Sequence, residues 1–158
     1  SYTAGDTTYM MGKMTTRTDT VADLGKVDMG YHNPIATIPD CTVLGCTIEM
    51  PSDDFGPGDT CYCSVHVCNP GQTTYSDTPI FVILDVYGTL LFAPTFTNFD
   101  NYLHDVAPGD FIIEVLPVFT WPSGAGTASN IYWYAAMTDP SMTTLIGEMD
   151  VFTFGWHE

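Results

Sequence analysis

Apolar and polar residues alternate with a period of two along most of this chain, and no window of about 11 residues carries the three-to-four spacing of an amphipathic helix. The pattern predicts strands over 42–50, 60–68, 79–87, 89–93, 111–119, 130–138 and 144–156. They are rich in Thr, Val, Ile, Phe and Tyr, whose branched or aromatic side chains fit a pleated surface. Gly, Pro and Asp cluster between them in "PSDDFGPGD", "NPGQTTYSD", "VAPGD" and "WPSGAGTAS", where tight reversals need such residues. "IFVILDVY" is almost continuously apolar and predicts a central strand covered on both faces, whereas "MDVFTF" alternates in part and predicts a half-buried one. Short strands at this spacing predict an all-β fold, an immunoglobulin-like antiparallel sandwich of about seven strands over residues 41–158. Residues 1–40 then form an extended N-terminal arm and spacer.

Inside the arm, Met10, Gly12 and Met14 share one face of an extended segment, and Tyr9, Met11 and Lys13 share the other. Fully extended, the spacer 17–40 reaches ~80 Å, well beyond a domain ~35–40 Å across. Such a ribbon is able to add to a neighbour's sheet edge, gaining backbone hydrogen bonds. Repeated head to tail, that contact makes a filament. The candidate donor residues are Thr8, Tyr9, Met10, Met11, Lys13, Met14 and Arg17, with copies of the same chain as partners. Two other readings stay open, an edge strand of the arm's own domain and a disordered tail.

Charge sharpens this picture. The chain carries a formal net charge of −16, yet its 3 cations, Lys13, Arg17 and Lys26, all lie near the start. Everything after Lys26 is acidic or neutral, so the body should repel nucleic acids and anionic membranes, while the cations travel with the arm towards an acidic target. No apolar run reaches the ~18 residues needed to span a bilayer as a helix. Opening at Ser1, the sequence is expected to have lost a leader or to belong to a longer chain.

Five cysteines in so lysine-poor a chain suggest an oxidising, extracellular setting. If 42–50 and 60–68 form a hairpin, one antiparallel register serves both Cys41–Cys68 and Cys46–Cys63 and leaves Cys61 free. Buried free thiols acting as small hydrophobes are the alternative.

Catalytic constellations are missing from the pattern. There is no G-x-S-x-G, no H-E-x-x-H and no Cys-x-x-Cys, and His32, His66, His104 and His157 are scattered, with His66 read as an outward residue of its strand. An enzyme is not expected, nor is a cofactor. Asp53, Asp54 and Asp59 offer the oxygen ligands Ca²⁺ takes, but their spacing matches no known loop, and a solvated acidic turn without metal is expected. Trp121, Tyr132, Trp133 and Tyr134 are candidates for stacking on sugar rings, against a role in sheet packing. Alternation places Tyr132 and Tyr134 on one face and Trp133 on the other, so one set belongs to the core.

At "TTRTDTVADLGKVDMGYHNPI", residues 15–35, the sequence resembles the closing segment of bacterial secreted right-handed parallel β-helix proteins. There an Arg-Thr-Asp stretch leads to an Asp-Leu/Ile-Gly or Asp-Met-Gly pair and an aromatic; Arg17, Thr18, Asp19, Asp28, Met29, Gly30 and Tyr31 stand in those places. "PGDTCYCSVHVCNPG", "IFVILDVYG" and "AAMTDP" are similar to sandwich domains at the C-termini of such proteins. The likeness covers most of the chain, but its motifs are structural, and the helical rungs that precede this segment in the family are not in this sequence. It implies a secreted or surface protein. The architecture, not the motifs, is also similar to extracellular fibrils whose subunits exchange N-terminal strands. Two functions are therefore expected: an extracellular filament subunit, or a carbohydrate- or surface-binding module of a larger secreted protein.

Overall fold

The computed structural model describes residues 14–15, 33–34 and 40–158. The chain divides into two units, 1–40 and 41–158. In the first, β1 (Met14–Thr15) pairs antiparallel with β2 (Asn33–Pro34), Met14 opposite Pro34. Thr15 is opposite Asn33.

The second unit is all-β: β3 (Gly45–Glu49), β4 (Asp54–Phe55), β5 (Thr60–Asn69), β6 (Tyr75–Val86), β7 (Thr89–Phe92), β8 (Tyr102–Val106), β9 (Gly109–Thr120), β10 (Ala128–Thr138) and β11 (Leu145–Trp156). The strands run in the order β7-β6-β10-β11-β3-β5-β9, with β4 added on β11 and β8 on β6. The sheet curls into two facing layers, β7-β6-β10-β11 and β3-β5-β9. Period-two alternation builds the core between them: on β10, Ile131, Trp133, Ala135 and Met137 are buried while Tyr132 and Tyr134 point the other way. Cys61, Cys63, Val65 and Val67 answer from β5, Ile80 and Val82 from β6.

The layers join at one parallel step, Gly45 beside Glu148. A Cβ on Gly45 would lie 2.5 Å from the Glu148 carbonyl oxygen, and one on Gly147 (φ +72°) would strike the Leu44 carbonyl. Only glycine permits that approach and that backbone. Beyond the step, the Asp150 carboxylate replaces the ladder, accepting the Ile48 N–H at 2.8 Å.

Three expectations change. Two short strands, β4 and β8, are added to the seven, and β3 and β4 both run parallel to β11, so the sheet is mixed. On β6 the inward Ile80 and Val82 are fully buried, whereas Phe81 and Ile83 on the outer face are half-buried, Phe81 against Phe92 and Phe99. The β3–β5 register is displaced, so Cys46 lies opposite Val67 rather than Cys63.

Candidate binding surface

Cys41 and Cys68 form a disulfide, their Cα atoms 5.3 Å apart. The expected Cys46–Cys63 bridge does not form; Cys46, Cys61 and Cys63 are buried free thiols. The displaced register sets Cys46 and Cys63 four residues, or ~13 Å, apart along the strands, beyond the ~7 Å a bridge tolerates between Cα atoms. Burial, with the Asp150 charge as a lesser cause, pushes the Cys46 thiol up to about 12; burial with Cys61 beside it does the same for Cys63, and burial alone takes Cys61 to about 11. These buried thiols pack in the core, where burial keeps them protonated.

His66 is not outward but 3% exposed, its Nε2 2.9 Å from the Asp110 carboxylate on β9. The acidic turn also disperses. Asp59 accepts the Gly56 N–H at 2.7 Å, Asp54 faces His157 Nδ1 at 3.2 Å, and no group of three metal-ligating side chains forms among the described residues.

The four stacking candidates separate. Trp133 is fully buried under the facing sheet and is unavailable to a sugar. Trp121 is drawn into an aromatic cluster at the end of the sandwich, stacked on Phe55 at 5.3 Å and 5.2 Å from Trp156. Tyr132 and Tyr134 stay on the outer face, ring centroids 6.2 Å apart and planes within 22°. Of the donor-strand residues, Met14 pairs its backbone with Pro34; Thr8, Tyr9, Met10, Met11, Lys13 and Arg17 lie outside the described residues.

Beside the tyrosines is an open cleft of about 340 Å³ lined by Asp53, Asp54, Ser129, Asn130 and Thr153. A break in the β10–β11 register between Ala128 and Ile131 accompanies it, with Asn130 in the left-handed region at φ 56°. The same register places Thr153, which lines the cleft, opposite Tyr132, so the ring pair adjoins the cleft. A third tyrosine adjoins them: the Ser129 N–H donates to the Tyr87 hydroxyl at 3.3 Å, and Tyr87 is 70% exposed. Sequence reasoning missed Tyr87, Asn130 and Thr153, since only the bulge and the pairing bring them together.

The class is therefore an all-β, immunoglobulin-like sandwich with an open polar cleft and tyrosines on its outer face. No protein-family model matches the chain, and no curated protein does. Among solved structures it is similar to a CARDB domain from Pyrococcus furiosus, crystallised in complex with di-metal ions, at 20% identity and a TM-score of 0.46 over 73% of this chain and 94% of that one. The solution NMR structure of that domain gives 20% identity and a TM-score of 0.45 over 72% and 96%.

Proposed function

We propose that this chain is a non-enzymatic, carbohydrate-binding sandwich of a secreted or surface protein. The observation that carries this reading is the adjacency of the polar cleft to the outward pair Tyr132 and Tyr134. Sugar rings need both features: C–H faces rest on aromatic rings, and hydroxyls need carboxylate, amide and hydroxyl partners such as Asp53, Asn130 and Thr153. The cleft volume falls in the range of small-ligand sites. Since the body holds no Lys or Arg, the reading favours neutral or amino sugars over uronic or sulfated ones. The Cys41–Cys68 bridge supports an extracellular setting. Calorimetry against soluble neutral and anionic polysaccharides tests it. Binding of a neutral or amino glycan that weakens at least about tenfold in Tyr132→Ala and in Asn130→Gly, which keeps the left-handed backbone, with unchanged melting, supports the reading; binding of none, or insensitivity to both substitutions, overturns it.

A second reading is favoured by β9. It closes one edge of the sheet over twelve residues, with Ile112 and Val118 exposed at 53% and 69%. An edge of that length is able to template another strand. In this reading it accepts the N-terminal segment of a second copy, whose cations complement an acidic body, and a homopolymer follows. Donation would first release the two-residue β1–β2 ladder for Met14. Assemblies seen in sedimentation and lost both without residues 1–20 and in Val118→Lys would support it; a monomeric full chain would refute it.

A further inference from the structure

The chain enters the unit 41–158 at Cys41, just before β3, and reaches the end of β11 at Trp156. β3 and β4 both run parallel to β11, with Gly45 beside Glu148 and Phe55 beside Trp156. Entry and exit therefore lie at opposite ends of one junction, which runs from Glu148 to Trp156, ~26 Å along β11. Hydrogen bonds span that length. The Glu148 N–H donates to the Leu44 carbonyl at 2.8 Å and the Ile48 N–H to the Asp150 carboxylate at 2.8 Å. The Gly155 and His157 N–H groups donate to the Asp53 and Phe55 carbonyls, each at 2.9 Å. Among the described residues, this junction is the only strand pairing that joins the two layers.

A pull on the two sides of this unit thus acts along the junction rather than across it. On the entry side the Cys41–Cys68 disulfide ties the chain to β5, which pairs with both β3 and β9, so that layer moves as one. On the exit side the pull falls on β11, held in turn by β10. The layers are drawn past each other, and the bonds between them are loaded together. Hydrogen bonds are short and directional, so bonds that must break together resist more than bonds broken in turn. Apolar contact between the layers has no such direction. We propose that residues 41–158 act as a mechanical tether, a link that keeps its fold under tension, with β3, β4 and β11 as its clamp. Gly45 and Gly147 belong to the clamp, since they let the strands approach. The inference does not rest on sugar binding or on assembly through β9.

Single-molecule stretching of the full chain in two directions tests this. Handles at Ser1 and Glu158 load the junction lengthwise. Handles at Ser1 and at the exposed turn position of Pro140→Cys, before β11, pull both sides from one end of the junction, so its bonds open in turn. The native free thiols are buried and leave the new one for attachment. Unfolding of the unit is recognised by its length, which grows by ~90 Å when the Cys41–Cys68 bridge, spanning 27 residues, is reduced. At one pulling rate the lengthwise direction should need at least about twice the force of the other. His157→Pro deletes the donor to Phe55 at the far end of the clamp. It should shorten the lengthwise lifetime at constant force about threefold to tenfold, the worth of one hydrogen bond, and leave the other direction unchanged. Equal forces in the two directions overturn the tether, as does His157→Pro changing both lifetimes alike or neither. The comparison of directions decides the matter even if His157→Pro does not fold.

Discussion

Asp139 is the side chain whose surroundings perturb it most at the surface. The Ser141 hydroxyl, then the Thr144 and Thr143 N–H groups, the latter two at 2.7 and 2.8 Å, hold its carboxyl down at about 2, against an ordinary 3.8. A depressed carboxylate stabilises the fold above its ordinary value and loses that contribution as the pH falls through its folded one. The turn at 139–144 should therefore keep its hydrogen bonds at pH 4 and lose them towards pH 2. An NMR titration should give a midpoint near 2 for Asp139, raised in Ser141→Ala. Thiol chemistry gives a second residue-scale prediction. With Cys46, Cys61 and Cys63 buried and their thiols pushed to between about 11 and about 12, alkylation at pH 8 should modify none of them in the native protein. It should modify three in denaturant and five after reduction. Modification of a native thiol would show that the core opens locally.

Among the elements, the β3–β11 crossing bears the connection between layers. Gly147→Ala places a left-handed backbone under a Cβ that meets the Leu44 carbonyl, so it should cost at least ~1–3 kcal/mol, read from the denaturation midpoint. Asp150→Ala removes the acceptor of the Ile48 N–H and should cost about 1.5–3 kcal/mol. The elements also show what was legible in advance. Strand β10, the centre of β9 and the first half of β5 follow their alternation closely, because in a two-layer sandwich each face of a strand meets either core or solvent, whereas the apolar run of β6 concealed which of its faces turns inward. β8 was missed since "YLHDV" buries only Val106, and β4 since it is two residues long and borrows its pairing from β11. The Cys46–Cys63 pairing failed for a related reason: residues 50–59 do not form a tight turn but carry β4 across to β11, which releases the register a short hairpin would impose.

At the scale of the molecule, residues 41–158 own a contiguous core and an internal disulfide. Expressed without residues 1–40, this unit should unfold in one cooperative transition, and three-state unfolding or an unfolded product would contradict that. Breaking Cys41–Cys68, separated by 27 residues, should cost about 2–4 kcal/mol. The unit contains no Lys or Arg, so its acids repel one another without relief, and its melting temperature should rise as salt screens them over the first ~0.15 M.

The sequence by itself determined that the body is all-β, that β10 turns one of its two alternating sets inward, and that the charge is one-sided, because periodicity and composition are local properties that no tertiary contact can alter. Tertiary structure alone decided which of four aromatics stay outside, which one of the two expected cysteine pairs forms, and where the cleft opens. Those outcomes depend on register, a single parallel step and one bulge, each set by pairing between residues far apart in the chain, where a slip of one residue reverses every side chain.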